Sequence, residues 1–124
     1  MALAAAAAAA EKKASGIVAI DVSELLIVTD YFVICTGNSD PQVRAIEEEV
    51  EKRLREEFGL RPVGREGVRS RDWVLLDYGS VIVHIFQPDT REFYRLESLW
   101  KDAPRLDLPD FGSRAAAASA EEAT

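Results

Sequence analysis

His84 is the chain's single histidine and Cys35 its single cysteine, and these are the side chains that proton transfer or nucleophilic attack near neutral pH would use first. His84 stands inside the apolar run Val81 to Phe86, with no cysteine, serine or carboxylate partner identifiable from spacing, so it reads as a structural or interface histidine rather than a general base. Cys35 ends the run Val33-Ile34-Cys35. A reactive thiolate needs an accessible, electropositive setting, and this run describes a small core side chain instead. Thr36-Gly37-Asn38-Ser39 joins a strand to a helix start, where free backbone N–H groups can cradle an anion, but Asn38 and Ser39 are accounted for as turn and cap. A lone cysteine excludes an internal disulfide and a cysteine-based zinc site. The carboxylates Glu47, Glu48, Glu51 and Glu56 fall on one helix face with Arg55, where solvation and pairing such as Glu48 with Lys52 explain them. Asp107 and Asp110 lie in a Pro-flanked tail, a poor scaffold for positioned ligands. No catalytic set, metal site or cofactor site is expected.

The elements that would have to hold any such group belong to one domain. The 124 residues are 48% hydrophobic and 30% charged, the balance of a soluble globular chain that folds without staples. The apolar stretches Leu25 to Cys35 and Val81 to Phe86 are too short and interrupted to cross a bilayer. Met1 to Ala10 is apolar only through alanine and lacks a basic leader, so no secretory signal is expected, and with the lone cysteine this points to the cytoplasm. The formal net charge of −7 argues against direct nucleic-acid binding, which relies on Lys and Arg displacing counterions from phosphates. A basic protein is the partner such a chain suits.

Along the chain, residues 1–15 form an Ala-rich helix with almost no amphipathic face, expected to pack weakly or fray, with Gly16 as its stop. A strand follows at Ile17 to Val22, a turn at Ser23 to Ile27, and a second strand at Tyr31 to Thr36, apolar enough to be covered on both faces. Ser39 and Gln42 form a capping box for a helix running to Phe58, with Pro41 in its first turn and Gly59 closing it. Val43, Ile46, Val50, Leu54 and Phe58 give that helix one apolar stripe. A short strand at Leu60 to Arg65 precedes a hairpin, Asp72 to Asp77 and Ser80 to Gln87. Asp89 with Glu92 then caps a last helix carrying Phe93, Leu96, Leu99 and Trp100. Residues 16–108 are thus the domain, of α/β (α+β) class with helices on a mixed sheet, and residues 109–124 a disordered or weakly ordered tail.

With the turn at Tyr78 and Gly79, counting pairs Leu76 with Val81, Leu75 with Ile82, Val74 with Val83 and Trp73 with His84. One hairpin face is then Val74, Leu76, Val81, Val83 and Ile85, the composition of a core. The other is Trp73, Leu75, Asp77, Ile82, His84 and Phe86, which mixes aromatics with an acid. That mixture suits the centre of a binding surface, but it suits equally a second layer covered by a helix, with Trp73 buried and Asp77 and His84 at its margin.

Several blocks together resemble the Iojap family of ribosomal silencing factors. They are Thr29-Asp30-Tyr31-Phe32-Val33-Ile34-Cys35-Thr36-Gly37-Asn38-Ser39, Gln42-Val43, Glu66-Gly67, Trp73-Val74-Leu75-Leu76-Asp77-Tyr78-Gly79 with Val81-Ile82-Val83-His84, and Arg91-Glu92-Phe93-Tyr94 with Leu96-Glu97, Leu99-Trp100 and Asp102-Ala103-Pro104. The likeness runs from about Ala14 to Leu108. It implies a nucleotidyltransferase-like fold and a translational repressor. Such a protein binds ribosomal protein fourteen of the large (50S-type) ribosomal subunit and blocks joining of the small subunit when nutrients are short. It also implies a contact surface at Trp73, Leu75, Asp77, Tyr78 and Gly79, with Glu66 and His84 as further members. The same apolar patch is a candidate surface for a homodimer. The rival reading is a nucleotide-using enzyme, but nucleotidyl transfer needs an Asp-x-Asp/Glu pair for two metal ions, and Asp77 has only Leu75 and Gly79 two residues either side. A non-enzyme without cofactor is therefore the expectation.

Overall fold

The computed structural model describes residues 1–109 and Phe111. In chain order these form α1 (Ala2–Glu11), β1 (Ser15–Asp21), β2 (Tyr31–Thr36), α2 (Asp40–Phe58), β3 (Gly64–Glu66), β4 (Trp73–Asp77), β5 (Val81–Phe86), α3 (Pro88–Tyr94) and α4 (Leu96–Leu99). The five strands lie in the order β1-β2-β5-β4-β3. β2 and β5 run parallel, and the other neighbours are antiparallel. The result is the expected mixed sheet with helices. β2 lies inside it, paired on both edges and covered on both faces, which is why its sequence shows no polar alternation. The chain after α4 runs along the outer edge of β1, where Pro104 accepts from the Asp21 amide at 2.8 Å and Leu106 donates to Ala19 at 2.9 Å. Most of the tail assigned to residues 109–124 lies outside the described residues.

α2 starts at its expected cap, Ser39, although the Gln42 side chain reaches the Asn38 amide rather than that of Ser39, so the capping box is only half formed. The Gln42 amide donates to Ser39 Oγ at 3.2 Å, and Gln42 Oε1 accepts from the Asn38 amide at 2.7 Å. Gly59 ends the helix in a left-handed conformation, φ 67°. Val43, Ile46, Val50 and Leu54 are buried as the stripe requires, but Phe58, the last helical residue, is exposed. Glu48 pairs with Arg44 at 3.6 Å rather than with Lys52. Glu47 and Glu51 are half-buried rather than solvated, and Glu51 accepts from Arg65 at 2.5 Å.

The N-terminal helix departs from expectation. It packs instead of fraying: Ala2, Ala5, Ala6, Ala8 and Ala9 are buried against α2 and the first two strands. Their spacing is helical, and the methyl groups let helices approach closely, yet alanine on the opposite face erases any amphipathic signal. The Gln42 side chain ties this helix down, its Nε2 donating to the carbonyls of Lys12 and Lys13 at 3.2 and 3.0 Å. The helix ends at Glu11, and Gly16, expected as its stop, is instead part of β1 at an irregularity in the ladder. β3 begins at Gly64 rather than Leu60 because Pro62 has no N–H to offer a ladder. Finally, the last helix is two. Gln87 and not Asp89 is the N-cap, Pro88 supplies the first turn, and Arg95 at φ 46° breaks α3 from α4.

The sheet carries a core on each face. The α1–α2 side packs Val33, Cys35, Val74, Leu76, Val81, Val83 and Ile85 against the helices. The opposite side packs Ile20, Val22, Phe32, Ile34, Phe86 and Ala103, with Leu96 and Trp100 lying against them. Phe93 and Leu99, expected to share that stripe, are exposed.

Candidate functional site

The β4–β5 hairpin pairs Trp73 with Phe86, Val74 with Ile85, Leu75 with His84, Leu76 with Val83 and Asp77 with Ile82. The turn sits one residue later than counting placed it. Tyr78 donates to the Val81 carbonyl at 2.9 Å, and Gly79 and Ser80 form the loop. Moving a turn by one residue moves every pair by two, and two residues preserve parity. The division into faces therefore stands although the individual partners change.

The aliphatic face, Val74, Leu76, Val81, Val83 and Ile85, is wholly buried beneath α1 and α2. On the other face, rows run across the sheet from edge to centre: Glu66, Leu75, His84 and Ile34 in one, Gly64, Asp77, Ile82 and Phe32 in the next. Exposure falls along them, from open Glu66 through half-buried Leu75 and Asp77 to buried His84, Ile34 and Phe32. This face is thus neither open throughout nor fully covered. Its centre is a second core, and its β3–β4 edge remains accessible.

The residues singled out from sequence separate accordingly. Glu66, Leu75, Asp77 and Trp73 share the partly open face. Tyr78 belongs to the opposite face, where its ring is buried in the α2-side core and burial pushes its hydroxyl up to about 12. Gly79 lies in the turn at φ 82°, donating its amide to Asp77 Oδ1 at 2.8 Å, so the Asp77 carboxylate also fixes the loop. His84 is only 4% exposed and lies beneath Trp73. The Trp73 ring stacks on Phe86, centroids 4.8 Å apart, and its indole N–H donates to His84 Nδ1 at 3.0 Å.

Two members of this surface were missed from sequence. Tyr94 lies against Trp73 at 5.0 Å and Phe93 against Tyr94 at 4.9 Å, with 53% and 79% of their surfaces exposed. Adjacent aromatics on one short helix cannot both face inward, and that was the available signal. Trp73, Tyr94 and Phe93 make an accessible aromatic cluster; on the same sheet face, Glu66 stands on neighbouring β3 and Asp77 four residues along β4 from Trp73.

Gly67 sets the approach of the β3–β4 connection to this cluster. Its φ is +75°, and a Cβ there would lie 1.9 Å from the Trp73 carbonyl oxygen. Gly67→Ala is expected to cost on the order of 3 kcal/mol in thermal or urea melts, from backbone strain and overpacking together. Gly64→Ala, with nothing near the added methyl, should be nearly silent.

Burial pulls the His84 imidazole down to about 4 from its ordinary 6.5. Between those values the unfolded chain holds a proton on this group and the folded chain does not. Stability should therefore fall as pH drops from about 6.5 to about 4, by a total on the order of 3 kcal/mol, and be insensitive to this group above that window. Glu47 opposes part of the loss, since burial, then repulsion from Glu51, raises its carboxyl and the folded state takes up that proton first. Urea melts at pH 7 and pH 4.5 should show the loss, and His84→Phe should show less of it. Cys35, buried and pushed up to about 12, is an inert core thiol as its setting implied. Among the described residues no group of His, Cys, Asp and Glu side chains converges as a metal site, and no helix is long and apolar enough to cross a membrane.

Comparisons with known proteins agree with one another. A family model described as "Ribosomal silencing factor during starvation" matches residues 1–124. The ribosomal silencing factor RsfS of Bacillus subtilis is 48% identical over 108 residues, spanning 87% of this chain and 90% of that protein. A crystal structure of a Chromobacterium violaceum protein superposes with a TM-score of 0.76 at 37% identity, covering 79% of this chain and 81% of that one. The Mus musculus protein named "Mitochondrial assembly of ribosomal large subunit protein 1" is 36% identical over 93 residues, 73% of this chain but 40% of its own length.

Proposed function

The chain belongs to the ribosomal silencing factor family, and from that membership we propose that it is a cytoplasmic translational repressor. It binds ribosomal protein fourteen of the large ribosomal subunit and so blocks, by its bulk, association with the small subunit. The observation that carries the reading is the accessible aromatic cluster Trp73, Tyr94 and Phe93, with Glu66 and Asp77 on the same sheet face, on a chain of net charge −7. Accessible aromatics supply concentrated binding energy, and carboxylates on the same face select a basic protein over the RNA around it. A domain of this size covers a standard interface of roughly 1,200 to 2,000 Å², enough to obstruct a larger docking surface without chemistry.

Titration with the isolated ribosomal protein tests the partner. Affinity should fall as salt rises from low to physiological strength, while binding to ribosomal RNA stripped of protein should be negligible at every salt concentration. Tight binding to naked RNA would overturn the assignment.

A further inference from the structure

We propose that His84 is a positioning residue of this surface: it touches no partner, but its Nδ1 holds the Trp73 indole in the orientation that the partner meets. The proposal rests on the reading of Trp73 as a binding residue. His84 is buried, so a partner docking on the face meets the half-buried Trp73, whose indole N–H donates to the imidazole at 3.0 Å, rather than the imidazole itself. An imidazole that accepts at Nδ1 carries its proton on Nε2. That Nε2 is buried and has no hydrogen-bond partner among the described residues, and the nearby Phe32 ring stands edge-on to the imidazole, centroids 4.9 Å apart. A buried, unbonded N–H destabilises a fold, and an aliphatic or phenyl side chain at this central strand position would avoid that cost. An apolar residue would in turn leave the half-buried Trp73 N–H without its acceptor, so what the histidine specifically supplies is the bond to Trp73. The other contacts of the indole are apolar and aromatic packing, with Phe86 and with Tyr94 on an exposed short helix among them, and these set no hydrogen-bonded orientation.

The bond also limits what the partner offers. With its N–H already used, Trp73 presents only its π-surface, which suits an alkyl chain or a stacked Arg or Lys rather than a hydrogen-bond acceptor. Basic proteins supply such groups.

The test follows the two indole N–H signals of the protein by ¹⁵N NMR, Trp73 being identified by its loss in Trp73→Phe. His84→Phe removes the acceptor, whereas His84→Asn puts an amide oxygen near the position of Nδ1. In His84→Phe the Trp73 signal should move and its hydrogen exchange accelerate, and affinity for the isolated basic ribosomal protein, corrected for folded fraction, should fall about tenfold. His84→Asn should recover most of both. If Trp73→Ala binds like the unaltered protein, the binding role of Trp73 fails, whatever His84 does. If Trp73→Ala loses binding while a folded His84→Phe binds fully, or His84→Asn restores the indole signal without affinity, positioning by His84 is overturned. Should His84→Phe not fold, ¹⁵N-histidine shifts of the unaltered protein decide: a proton on Nε2 supports the bond, and a proton on Nδ1 refutes it.

Discussion

Val83→Asp is expected to unfold or aggregate the protein outright. Val83 is fully buried, paired with Leu76 of β4 and Val33 of β2, and packed in the α2-side core. A carboxylate placed there meets aliphatic neighbours, and an uncompensated buried charge of this kind costs about 5 kcal/mol or more. That rivals the whole stability of an ordinary domain, about 5 to 15 kcal/mol. Val83→Ala separates the charge from the cavity and should cost about 2 kcal/mol. Circular dichroism melts with gel filtration check both. A Val83→Asp protein that melts within a few degrees of the parent would show that this face is not the core.

Trp73→Ala, ten residues away and on the opposite face, should act chiefly on binding. The loss expected is about 2 kcal/mol or more, roughly thirtyfold in affinity for the ribosomal protein, the usual size of a tryptophan hot spot. Some stability is lost as well, because the ring is half-buried against Phe86 and Tyr94. The cost should stay below the roughly 3 to 5 kcal/mol of a fully buried tryptophan. Binding must therefore be measured at matched concentrations of folded protein. If affinity then equals that of the parent, Trp73, Leu75 and Asp77 are not the contact surface.

These two variants are separable because strand parity was readable. A turn displaced by one residue changed every cross-strand partner and no face, so Val83 and Trp73 kept their sides. β2 and α2 were equally plain, the first from an unbroken apolar run and the second from Ser39, Gln42 and Gly59 at its ends. What sequence hid depended on tertiary context. Alanine on both faces of α1 concealed the burial of Ala5, Ala6 and Ala9. Arg95 in a left-handed conformation carries no local signature, so the break between α3 and α4 went unseen. That break determines the site: it turns Leu96 and Trp100 onto the sheet, buries the centre of the second face, and leaves Phe93 and Tyr94 outside. The open and covered readings of that face each held for part of it. His84, grouped with the contact residues, lies beneath them.

Subunit joining tests steric repression most directly. Purified large subunits are incubated with the protein, small subunits are added without any nucleotide, and association is followed by light scattering or gradient sedimentation. The protein should comigrate with large subunits and suppress joining in proportion to occupancy, and Trp73→Ala at equal folded concentration should do neither at limiting dose. Normal joining by large subunits saturated with the protein, or a block that appears only when nucleotide is added, would contradict repression by steric exclusion.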